Sequence, residues 1–243
     1  METLFVIILL LIAGPVIGSA IGIIKRPSER TMFHLLAFAA GIMISIAFLQ
    51  LVPQALSFSS VWTVILGIII GTVLMFLLDR FLPHIHPETC VSKDSEMKKL
   101  NLFLFAGMFL HSFPEGMAIA TGVVSNLQVG FAIAFAITIH KIPESIAVAS
   151  AQYYCTKSKL NGFLKSVSTL LPLLAGFAIS FIIYSIIPRE AIGFIIGITA
   201  GLMIYISGDE LIPESSEKLT YHKTIFSFVA GICLVLLSNM KWY

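Results

Sequence analysis

Apolar residues in this chain come in long blocks rather than in alternation or in narrow stripes. Eight blocks can be read, at approximately 3–24, 32–54, 61–82, 100–122, 127–151, 163–187, 191–213 and 224–241. A spanning helix needs roughly 20 mainly apolar residues at about 1.5 Å rise each, and every block approaches or meets that length. The pattern predicts an all-α integral membrane protein, a single transmembrane domain of eight helices over residues 1–243. Its connections are short. The longest, 83–99, carries His84, His86 and Cys90 and then a mixed-charge run from Lys93 to Lys99.

Composition supports the same class. Apolar residues make up 58% and charged residues 12% of the 243, against about 45–50% and about 25% in soluble domains. A cytosolic enzyme, a nucleic-acid binder and a disordered tail are disfavoured. The net charge of +2 is too small to point to a polyanionic partner. Cys90, Cys155 and Cys233 are scattered, with no CxxC pair and no disulfide framework.

Orientation follows from the basic residues, which concentrate on the cytoplasmic side. Lys25, Arg26 and Arg30 follow the first block; Arg80, Lys93, Lys98 and Lys99 the third; Lys157, Lys159 and Lys165 the fifth; Lys218 and Lys223 the seventh. The even-numbered connections and both termini hold only Arg189 and Lys241, and Lys141 lies inside a block. This alternation puts both termini outside the cytoplasm and the 83–99 loop within it. The first block carries Glu2 ahead of it and its basic residues behind, the reverse of a signal peptide, so it reads as a retained helix.

Ionisable side chains at mid-bilayer cost about 2.5–3.5 kcal/mol on insertion scales, so they need partners and mark function. The fourth block carries His111 and Glu115, the fifth His140, Lys141 and Glu144, and the seventh ends in Asp209, Glu210 and Glu214. Asp79 stands at the inner end of the third. Three of these stretches share a spacing: HSFPEG, HKIPES and ELIPES each place an ionisable residue at i, proline at i+3 and glutamate at i+4. Residues four apart share a helical face. Two such helices side by side would present two imidazoles and two carboxylates to one point, a donor set suited to a divalent transition metal.

Pro114 and Pro143 have no N–H to give the preceding turn, which loosens each helix beside its charged pair. Broken helices at membrane depth line cavities and substrate sites in transporters. A single His–Glu pair would equally serve as an interhelical clamp. Two pairs at identical spacing, each with proline at the same offset, favour metal. His34 reads as an interface residue near a helix end. His84 and His86 form an H-x-H that either collects metal weakly or is simply solvated. Met43, in the small-residue stretch Ala39-Ala40-Gly41, reads by itself as packing.

The pair His111-Ser-Phe-Pro-Glu115-Gly116 and His140-Lys-Ile-Pro-Glu144 resembles the fourth- and fifth-helix signatures of the ZIP (Zrt-, Irt-like) family of divalent-metal transporters, in its compact prokaryotic form. The resemblance covers essentially the whole chain. It implies that zinc or a related ion enters the cytoplasm through a site between helices four and five, with His111, Glu115, His140 and Glu144 as core ligands. It adds Met43 as a further ligand and Gln50 on the outer approach. It makes Asp79, Asp209 and Glu210, with Glu214, His84 and His86, the inner way out, and it implies inverted repeats around the helix 4–5 pair and a homodimer.

Departures from the family pattern are equally informative. Many members hold a second, adjacent metal, and the positions that would bind it are here Ser112, Lys141 and Leu171. Lys141 would put a tethered cation where the second ion sits, leaving a single-metal site. Two rival readings use the same residues: a membrane zinc enzyme, and a proton-driven carrier of a non-metal substrate. No HExxH accompanies the first. No catalytic cofactor is expected, and magnesium and calcium prefer all-oxygen sites. Short loops and the lack of a targeting extension favour a bacterial inner membrane.

Overall fold

The computed structural model describes residues 2–24, 28–81, 112–184, 186–216 and 221–239. These are helical, with no strand among the described residues. In chain order they form α1 (Glu2–Ile24), α2 (Glu29–Ile46), a π-helical turn (Ala47–Leu51), α3 (Val52–Phe58), α4 (Val61–Phe81) and α5 (112–125). Then come α6 (Leu127–Thr156), α7 (Lys159–Val167), α8 (Leu170–Tyr184), α9 (Arg189–Tyr205), a second π-helical turn (Ile206–Leu211), α10 (Ile212–Ser216) and α11 (Tyr221–Asn239).

Six stretches are long and apolar enough to cross a membrane: Thr3–Ile24, Phe33–Phe58, Val61–Arg80, Leu127–Ser150, Lys159–Tyr184 and Arg189–Asp209. They coincide with six of the eight blocks. The last block appears as a shorter apolar helix, Thr224–Leu237. Of the fourth, the part before residue 112 lies outside the described residues, as do His84, His86 and the 83–99 loop. The chain is an integral membrane protein, helical throughout its spans among the described residues.

Helix ends follow local chemistry. Asn126 caps α6 by accepting from the Gln128 N–H at 2.8 Å, and Ser158 caps α7 through the Asn161 N–H at 3.3 Å. Between them Lys157 closes α6 in the left-handed region, φ 55°. The two π-helical turns each hold a proline two residues beyond their end, Pro53 and Pro213. A proline offers no N–H, and the widened turn takes up the missing bond.

Small residues set how the helices pair. Gly14, Gly18 and Gly22 form one ridge of α1 against α6; a Cβ on Gly18 would stand 2.8 Å from that of Ser145, and one on Gly22 2.9 Å from that of Ala149. Such closeness admits only glycine and substitutes for the hydrophobic drive that lipid removes. The same device joins α4 to α9 (Gly67 beside Gly197), α2 to α11 (Gly41 and Gly231) and α5 to α8 (Gly116 and Gly176).

Candidate metal site

Glu115 on α5 and His140, Lys141 and Glu144 on α6 converge in the interior. Glu115 and His140 are fully buried, Lys141 is 1% exposed and the Glu144 side chain 12% exposed. The spacing brings this about: His140 and Glu144 are one turn apart on α6, while Gly116, Ala118 and Ala120 keep the facing helix slim.

His140 Nε2 lies 2.7 Å from Glu115 Oε1 and 3.6 Å from Glu144 Oε2. One ligand atom from each of the three residues falls within 4.8 Å of the others. Ligands on one tetrahedral zinc at about 2.0–2.2 Å sit ~3.3 Å apart, so a slight spreading of the 2.7 Å hydrogen bond admits an ion. The other ring nitrogen, His140 Nδ1, is buried with no hydrogen-bond partner among the described residues.

Lys141 closes the far side. Its Nζ stands 2.6 Å from Glu115 Oε2 and 2.6 Å from Glu144 Oε2, and it donates to Ser112 Oγ at 2.9 Å. Two buried carboxylates repel strongly in a medium of low dielectric. The ammonium neutralises one of their two charges and leaves the other facing the His140 imidazole. The arrangement supplies one nitrogen, carboxylate oxygen from two helices and residual negative charge, which is the chemistry of a divalent transition-metal site.

The remaining residues singled out from sequence are distributed along the helices. Met43 is fully buried in the core. His34 Nδ1 pairs with Ser227 Oγ at 2.9 Å across α2 and α11, an interface contact. Gln50 sits buried in the first π-helical turn. Asp79 on α4 is half-buried and accepts from the Tyr205 hydroxyl at 3.2 Å, and Asp209 is exposed in the second π-helical turn beside that phenol. His111 and the side chains of Glu210 and Glu214 lie outside the described residues.

Sequence reasoning passed over Tyr205, one turn before Asp209, and Gln54, whose Nε2 donates to the Thr121 carbonyl at 3.0 Å. A signal for Gln54 was available. Gln50-Leu-Val-Pro-Gln54 repeats the proline spacing of HSFPE, HKIPE and ELIPE with amides in place of charges.

The profile of the family described as ZIP Zinc transporter matches residues 90–239, which include the whole site. Among curated proteins, Zinc transporter ZupT from Salmonella newport (strain SL254) is 35% identical over 244 residues, covering 96% of this chain and 95% of its own length. The proteins of that name from Salmonella typhimurium and Salmonella typhi match to the same extent. With its paired helix motifs, buried carboxylate–imidazole cluster and near full-length similarity, the chain belongs to the ZIP zinc transporter family.

Proposed function

We propose that this protein carries divalent transition-metal ions, zinc foremost, across the membrane into the cytoplasm through the Glu115/His140/Glu144 site. One observation carries the reading: an imidazole nitrogen and two carboxylates meet in the membrane interior, each within 4.8 Å of the others, with Lys141 bridging the carboxylates. His111 is the fourth ligand by its place four residues before Glu115 in the sequence, and Met43 a soft fifth. Lys141 with Ser112 fills the place of a second ion, so one metal is carried at a time. The chain spans eight times with both ends outside, in a cell membrane.

The ion approaches past Gln50 and leaves toward Asp79, Asp209, Glu210 and Glu214, with His84 and His86 in the loop beyond. Two groups of helices support alternating access. Glycine contacts and hydrogen bonds tie α1, α5, α6, α7 and α8 together: Thr138 Oγ1 to the Leu10 carbonyl at 3.0 Å, and Ser19 to Ser166 at 2.7 Å. Others tie α2, α3, α4, α9, α10 and α11: His34 to Ser227, Tyr205 to Asp79. Apart from Met43 on α2, the site belongs to the first group, which slides or rocks against the second and takes the ion with it.

Equilibrium zinc binding by the purified protein tests the assignment. The native chain binds one ion at this site, and Glu115→Ala/His140→Ala removes it. Undiminished binding in the double variant contradicts it.

A further inference from the structure

Resting on that two-group reading, we propose that the Gln54–Thr121 hydrogen bond is a latch that holds the outer end of the pathway shut while the inner end is open. The bonds of Thr138, Ser19, His34 and Tyr205 each join helices of one group. Gln54 on α3 crosses instead, giving its amide N–H to the backbone carbonyl of Thr121 near the end of α5, in the other group. Both residues lie on the side where α3 ends and α5 turns into α6, the outer side by the distribution of lysine and arginine.

Burial agrees with a closed outer end. Between Gln54 and the metal site, Ile46, Ala47, Leu51, Ala118 and Ile119 are all fully buried. The site's exposure is instead at Glu144, one turn inward from His140, whose side chain is 12% exposed. Thr121 is braced on its own group: its hydroxyl bonds the Tyr184 hydroxyl at 2.9 Å, so Gln54 pulls against a fixed carbonyl.

The amide itself is poised to let go. Gln54 is 8% exposed, and its Oε1 is buried with no hydrogen-bond partner among the described residues. Closure thus makes one bond through Nε2 and leaves the oxygen dry. Opening breaks that bond and returns the whole amide to water. A bond of small net value is what a latch working on every cycle requires, because a strong one would trap a single state. The adjoining π-helical turn supplies compliance at the same point.

Cysteine accessibility tests the latch in a chain with Cys90, Cys155 and Cys233 replaced by serine. Ala118→Cys reports the outer half and Val148→Cys the inner half, each labelled by a water-soluble thiol reagent on purified protein. Gln54→Met keeps the volume without the donor, and Gln54→Glu keeps the shape. Either one is expected to speed labelling at Ala118→Cys roughly threefold to tenfold, the population shift that loss of one ordinary hydrogen bond brings, and to slow it at Val148→Cys. Unchanged labelling at Ala118→Cys, or a change of one sign at both reporters, overturns the latch, the latter because a loosened fold opens both ends. Zinc uptake by the cysteine-free parent is measured alongside: its absence counts against the transport reading and leaves the labelling result standing.

Discussion

Lys141 Nζ reaches Glu115 Oε2 on the neighbouring helix at 2.6 Å while also holding Glu144 on its own. A cation covalently fixed between the two carboxylates limits how much further positive charge the site accepts. On the proposed reading the site takes one divalent ion. In Lys141→Asp a second ion takes the vacated place, and the stoichiometry measured by metal analysis of the purified protein rises from one toward two.

Removing the ammonium without replacement has a different outcome. Lys141→Met leaves Glu115 and Glu144 facing each other in the interior, and breaking a buried pair in this way costs about 3–5 kcal/mol. The metal-free variant is expected to melt well below the native protein in a thermal-shift assay. Zinc should recover much of the loss, since a ligand that binds only the folded state stabilises it. A variant as stable as the native chain would mean that the lysine is not compensating those charges.

Acid should weaken zinc binding. His140 and both carboxylates bind metal only when deprotonated, so protons compete with the ion. The sign is a loss of apparent affinity as pH falls, roughly tenfold per pH unit for each proton displaced below the ligand's own titration. Zinc titrations at about pH 7.5, 6.5 and 5.5 read it directly.

The glycine ridge of α1 admits nothing larger. Gly22→Leu drives a side chain into Ile146 and Ala149 of α6, where even a Cβ would stand 2.7 Å from the Ile146 carbonyl oxygen. Overpacking of this kind costs about 1–3 kcal/mol. The expected result is a lower melting temperature, and native stability in that variant would show that α1 and α6 pack less closely than described.

Much of this was legible beforehand because lipid imposes simple rules. Length and apolarity alone pick out six of the spans. The meeting of Glu115, His140 and Glu144 was legible for a second reason, since ionisable groups four apart in a membrane helix have few places to go. The π-helical turns at Ala47–Leu51 and Ile206–Leu211 were not, because an extra residue in a turn leaves the apolar pattern intact. Span six also broke, into α7 and α8 around Ser168 and Thr169. Gln54 and Tyr205 were overlooked for a shared reason: neither carries a charge at neutral pH, so a search for charges in the membrane passes them by, although each binds a partner on another helix.

Zinc flux into proteoliposomes addresses the central claim most directly, with native protein compared against His140→Ala/Glu144→Ala at matched reconstitution. Time-dependent uptake by the native chain, abolished in the double variant while the variant still folds and inserts, is the predicted result. Uptake that continues unchanged without the imidazole and the carboxylate would contradict a pathway through this site.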